Sequence, residues 1–186
     1  MTAEKLRDLI FSLHTRKFGT VAEKLSESVL IKLGLVVNKS DSIHYDRKIN
    51  DSKDEIKASR VLAKSTLDLE TNNILEALEK HEVQRHVNLN QAQEVEWDSN
   101  IQQVKTDCFQ SLWYCLFFAD KVCIFKISNT QIHEDTNISY SDKQHKGNVG
   151  EGQFHVTNKN INYHLENYLV KTLTYEEVYE NLSEKK

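Results

Sequence analysis

The sequence contains no proline, five glycines and a single methionine in 186 residues. Alongside its many Asn, Lys and Ile residues, that bias reads as the imprint of AT-rich coding and carries no functional weight. Cysteine is sparse too: Cys108, Cys115 and Cys123 stand without any C-x-x-C spacing. An odd number with no framework excludes a disulfide scaffold and fits buried thiols in a reducing cytoplasm. No apolar run approaches a membrane span, and Glu4, Lys5, Arg7 and Asp8 break up the first turns. Neither a secretory leader nor a membrane anchor is therefore expected, and the chain reads as cytoplasmic. His145, His155 and His164 lack ligand spacing and cysteine partners, which argues against zinc. Positive charge is also missing overall, with a formal net charge of -4. Any contact with nucleic acid then requires a positive face of its own.

What is present is ordinary for a folded domain: 39% apolar and 28% charged residues. The length fits one domain spanning 1–186, with 140–186 as a C-terminal subregion. Leu6, Leu9, Ile10 and Leu13 recur at helical spacing, and Gly19 is expected to break this helix from a second over about Val21 to Leu33. Val21, Leu25, Val29 and Leu33 form the expected buried stripe, Glu23 lies off it, and Gly34 is a natural stop.

The stretch from Ile43 to Arg60 carries the chemistry. Ile43 to Asp46 and Glu55 to Ser59 are expected to pair as a hairpin around a polar turn. Strand alternation sends Glu55 and Lys57 to one face and Ile56 to the core, so Asp46 can meet Glu55 across the ladder. Two carboxylates there form a ligand set for a hard divalent cation, with Lys57 beside it. Asp51 and Asp54 compete with Asp46 as the first acid, but only Asp46 follows an apolar strand-like segment.

Asp46, eight intervening residues, then Glu55-x-Lys57 resembles the motif of the PD-(D/E)xK nucleases, with Tyr45 where the family's motif carries proline. The surroundings Phe18-Gly19-Thr20-Val21-Ala22-Glu23, Ser59-Arg60-Val61 and Gln102-Gln103-Val104-Lys105 make the whole look like a small type II restriction endonuclease. The likeness covers the first two thirds of the chain by motif order and the last third by composition alone. It implies an α/β fold with a restriction-endonuclease-like core, a central mixed sheet flanked by helices. It also implies Mg2+, replaceable by Mn2+, held by Asp46 and Glu55 with the Ile56 carbonyl and Glu23. Lys57 would act on the attacking water, and Arg60, Gln103 and Lys105 would line the DNA face. The implied partners are double-stranded DNA, a second copy in a homodimer, and a DNA methyltransferase as genetic partner. The alternatives are a structure-specific repair, phage or mobile-element nuclease, and a non-catalytic DNA-binding module.

Further along, Leu62 to Arg85 reads as a helix capped by Ser65 or Thr66. Ile101 to Lys105 alternates as a strand, Phe109 to Phe117 reads as a core helix, and Lys121 to Ile127 as a strand. Strand, helix and strand in that order predict a right-handed crossover and a sheet with parallel members at its centre. Gly147, Gly150 and Gly152 mark a loop flanked by Lys143, Gln144, His145, Lys146, Asn148, Gln153, His155, Asn158 and Lys159. These side chains supply phosphate contacts and bidentate base contacts, so 143–159 is the expected base-reading segment. Finally, Thr174-x-x-Glu177 is a capping-box pattern for a last helix with Val178 and Leu182 on its apolar side.

Overall fold

The computed structural model describes residues 1–64, 74–75, 85–143 and 149–183. Helix α1 (Ala3–Ser12) is capped by Thr2, whose hydroxyl accepts the Lys5 N–H at 3.2 Å. Helix α2 (Thr15–Lys32) begins after an extended step at Leu13 and His14, so the break falls there and Gly19 lies inside the helix. Phe18, Ala22, Leu25 and Val29 explain this: they place an i, i+4, i+7, i+11 stripe in the core, and its burial outweighs the entropy lost at one glycine. The expected stripe stepped by four throughout and so drifts about 40° per step around a 3.6-residue turn. Val21 and Leu33 are accordingly 39% and 41% exposed. Gly34 ends the helix with φ of 85°, a conformation that favours glycine.

A six-stranded sheet follows, in the order β1-β2-β3-β5-β6-β9. Its strands are β1 (Val37–Lys39), β2 (Arg47–Ile49), β3 (Ser52–Arg60), β5 (Ser111–Phe117), β6 (Lys121–Ser128) and β9 (Leu169–Thr174). The β3–β5 pair at the centre is parallel and every other neighbour is antiparallel, giving a mixed sheet. Strands β4 (Asp98–Val104), β7 (Ser141–Lys143) and β8 (Val149–Thr157) form a second antiparallel sheet in the order β4-β8-β7. Further helices among the described residues are α3 (Asn129–Glu134), α4 (Ile161–Asn167) and α5 (Tyr175–Ser183).

Alternation along β5 divides the core. Trp113, Cys115 and Phe117 join Ile56 and the buried faces of α1, α2 and α5, while Leu112, Tyr114 and Leu116 join Ile101, Val104, Phe154 and Val156 of the small sheet. The large sheet is thus covered by helices on one face and by the small sheet, α3 and α4 on the other. The expected helix over Phe109 to Phe117 is corrected to a central strand. Every side chain from Leu112 to Phe118 is at most 3% exposed, and a short, continuously apolar, aromatic run has no period to separate a buried strand from a buried helix. The expected crossover between 101 and 127 fails with it, because β5 and β6 are an antiparallel hairpin and β4 belongs to the other sheet. The parallel centre arises instead from β3 and β5.

Leu62 and Ala63 form isolated bridges to His86 and Trp97 and are not helical. Ile74 and Leu75 are helical, Lys64 and Arg85 are not α-helical, and 65–73 and 76–84, with Ser65 and Thr66, lie outside the described residues. The glycine loop is also revised, since Gly150 and Gly152 lie in β8. The capping box forms: Glu177 Oε2 accepts the Thr174 N–H at 2.7 Å and Thr174 Oγ1 accepts the Glu177 N–H at 3.2 Å. Val178 of that helix is buried and Leu182 is 45% exposed. Among the described residues, no helix is long and apolar enough to cross a membrane.

Candidate active site

The hairpin β2–β3 builds the site. Asn50 and Asp51 turn the chain with φ of 48° and 67°, and Ile49 pairs with Ser52, so the loop has the left-handed geometry that matches strand twist. Pairing covers only Arg47–Ile49 with Ser52–Asp54. The expected partner segment Ile43 to Asp46 is therefore not a strand, and Asp46 stands one residue before the ladder. At that point β2 has not begun, so no strand covers this edge of β3, and Asp46 Oδ2 accepts the N–H of Ile56 at 3.1 Å. A backbone donor that would otherwise lack a partner thus orients the carboxylate.

Beyond the ladder, β3 alternates as its sequence requires. Asp54 and Ile56 turn to the helical face, where Asp54 is fully buried and accepts from Trp113 Nε1 at 2.8 Å. Glu55 and Lys57 turn to the opposite face. Lys57 Nζ donates to Glu55 Oε1 and lies 3.8 Å from Asp46 Oδ2. Side-chain exposures of 12%, 17% and 34% for Glu55, Lys57 and Asp46 make this a recessed cluster open on the Asp46 side. Of the rival acids, Asp54 is thus taken up by Trp113, and Asp51 occupies the turn.

Glu23 enters the same field from α2. Burial, followed by the Asp46 charge, raises its pKa above the ordinary carboxylate value, and Lys57 and Arg47 act against that rise. Glu55 is also raised, by burial first and then by Asp46 against the pull of Lys57. Burial works to lower Lys57, but the Glu55 and Asp46 charges outweigh it, so its pKa is raised and it is an ammonium at neutral pH. Three carboxylates therefore crowd one ammonium, an excess of negative charge that a divalent cation would relieve. No three His, Cys, Asp or Glu side chains among the described residues form a ready cage. Two carboxylates and open coordination positions fit magnesium, which retains several waters, better than a closed zinc site.

Sequence reasoning missed Arg47 and Glu27. Arg47 Nη2 donates to Glu27 Oε2 at 2.9 Å and Nη1 to the Asp46 carbonyl at 2.5 Å, tying the hairpin to α2. The signal was present: Glu27 is one turn past Glu23, on the same helix face, and Arg47 follows Asp46.

The proposed DNA-facing residues fall elsewhere. Arg60 turns to the helical face, donates to the carbonyls of Phe11 and Leu13, and stacks 4.8 Å above the Phe18 ring. Gln103 sits in a bulge with φ of 59°, which breaks its alternation with Lys105, and Lys105 lies 3.4 Å from Glu151. Gln153 accepts from Asn100 Nδ2 at 2.9 Å, and His155 Nδ1 is 2.7 Å from Asp98 Oδ1, both on the outer face of the small sheet. Lys143 is exposed at the end of β7, and Asn158 and Lys159 lie in the turn after β8. Gln144, His145, Lys146 and Asn148 lie outside the described residues. Among the described residues, no hydrogen bond or ion pair joins this set to Asp46, Glu55 or Lys57. Compared with known proteins, the chain matches no family model, no curated protein and no solved structure.

Proposed function

We propose that the chain is a magnesium-dependent nuclease that hydrolyses phosphodiesters of double-stranded DNA, acting as a type II restriction endonuclease at a short palindromic sequence. The observation that carries this reading is the meeting of Asp46, Glu55 and Lys57 where the β2–β3 ladder ends. The αβββ order of α2 and β1–β3, with β5 returning parallel to β3, supports a restriction-endonuclease-like core. Attack on a phosphodiester must build negative charge on an anionic centre, and Mg2+, or Mn2+ in its place, acidifies a bound water and stabilises that charge when bound. Asp46 and Glu55 hold the cation, with Glu23 adding negative charge from α2. Lys57, protonated between two carboxylates, orients the attacking water and balances charge as it develops. A homodimer would present two such sites to the two strands, and a DNA methyltransferase encoded nearby would protect the host sequence.

The test is incubation of plasmid DNA with Mg2+. Wild-type protein yields discrete fragments, and Glu55→Ala loses cutting but retains binding. Smeared products or preference for branched DNA would select a structure-specific nuclease instead. The mutual ion contacts of Lys57 favour a second reading, a structural charge cluster in a non-catalytic DNA-binding module. Intact DNA binding without any Mg2+-dependent cutting selects it.

A further inference from the structure

We infer that Arg47 is the positioning residue of the cation site, strapping the backbone at Asp46 to α2. The inference rests on the nuclease reading and deepens it. Strand β2 has only three residues, and the chain before it, from Ser40 to Tyr45, is outside any ladder. Asp46 could swing away from β3 if the Ile56 N–H were its only tether. The Lys57 ammonium, 3.8 Å from Asp46 Oδ2, pulls on the same carboxylate, and Arg47 tethers the backbone. Arg47 faces the helical side, as its paired residue Asp54 does, and there one guanidinium nitrogen takes the Asp46 carbonyl and another takes Glu27. Glu27 is in turn held by Lys24 at 2.8 Å.

Glu27 and Glu23 lie one turn apart on α2, so the strap that locates Asp46 also sets how close Glu23 comes to it. The fork geometry of arginine is what permits two acceptors to be held at once. The arrangement carries a cost: Arg47 Nε is buried and has no hydrogen-bond partner in the structure. A methionine would fill similar volume without an orphaned donor, so packing alone does not account for arginine here.

The test measures Mn2+ binding to the purified chain, free of DNA, by the electron paramagnetic resonance signal of free Mn2+, with thermal unfolding of the metal-free protein in parallel. Arg47→Met is expected to weaken Mn2+ binding about tenfold, the scale on which supporting residues tune metal affinity, beyond what its change in Tm explains. Arg47→Lys keeps the charge but loses the fork and should recover only part of the affinity. Glu27→Gln, which keeps an acceptor but removes the charge that holds the strap on the α2 side, should shift binding in the same direction, and it stands in if Arg47→Met fails to fold. Binding by Arg47→Met, or by Glu27→Gln in its place, within twofold of wild type overturns the inference, as does full recovery with Arg47→Lys. Asp46→Asn separates the two levels. If it abolishes Mn2+ binding while the strap variants do not, the strap alone is wrong. If it binds Mn2+ normally, or if wild type does not bind, the cation site falls and the strap with it.

Discussion

Lys57 decides at the residue scale what kind of cluster this is. An ammonium between two carboxylates stays protonated at neutral pH, so its contribution in the metal-free chain is charge and orientation. Glu23 shows the opposite strain, because burial and the Asp46 charge both disfavour its ionised form. Glu23→Gln should therefore raise Tm in chelator while weakening binding of Mg2+, read by thermal unfolding with and without the cation. A lowered Tm in chelator would mean that Glu23 is held by favourable contacts instead. The motif residues Asp46, Glu55 and Lys57 were legible because period-two alternation fixes which side chains share a face of β3. Arg60 was not legible as a fold residue: its parity alone sends it to the helical face, but only the position of α1 shows that the Phe11 and Leu13 carbonyls await it there.

Elements decide where those side chains are delivered. The hairpin depends on two consecutive left-handed residues, Asn50 and Asp51. Asp51→Gly removes the steric cost at the second, and the urea midpoint should rise by an amount equivalent to up to about 1 kcal/mol. Asp51→Val should instead lower stability by about 1–3 kcal/mol, because a β-branched residue is strained at positive φ. In β8, a Cβ at Gly152 would lie 2.1 Å from the Tyr140 hydroxyl, which donates to the Val104 carbonyl. Gly152→Ala should therefore displace the whole Tyr140 ring, whose Cζ and Cε2 would lie 2.4 and 2.5 Å from that Cβ, and lower Tm, and Tyr140→Phe, which keeps both atoms, should not rescue it. Helix α1, the C-terminal part of α2, Gly34, β6 and the α5 capping box were readable, since each has a periodicity or a cap that acts locally, but the start of α2 and its buried face were not, because Phe18 and Ala22 carry the core stripe through Gly19. Strand β5 was misread because its aromatic run is buried on both faces, and a pattern without polar positions records burial without recording shape.

Over the whole molecule, the face of the large sheet under the small one holds a titration that local sequence does not announce. His164 is fully buried among Tyr114, Phe125, Phe154 and Tyr168, with its Nδ1 2.7 Å from the Tyr114 hydroxyl and its Nε2 unpartnered. Burial pushes its pKa down to about 4 from an ordinary 6.5. The unfolded chain therefore takes up a proton below 6.5 that the folded chain refuses until near 4, so stability falls as pH drops through that window. The loss is on the order of 3 kcal/mol from this group. Asp135, which accepts from the Tyr163 and Tyr168 hydroxyls, has its pKa lowered to about 2, and its contribution is lost as pH falls from 3.8 through about 2. Urea unfolding between pH 7 and 4 should show the first slope, and His164→Phe should flatten it; an unchanged slope would assign it to other groups.

The same scale holds the link between the sheet architecture and its chemistry, and cleavage of plasmid DNA by Lys57→Ala in Mg2+ tests that link most directly. A protein that still folds and binds DNA, with a Tm lowered by the loss of its recessed ion pairs, yet has lost cutting that wild type performs at the same temperature, is the predicted result. Cutting by Lys57→Ala at the wild-type rate would contradict it, and the cluster at the end of the β2–β3 ladder would then be a structural ion group.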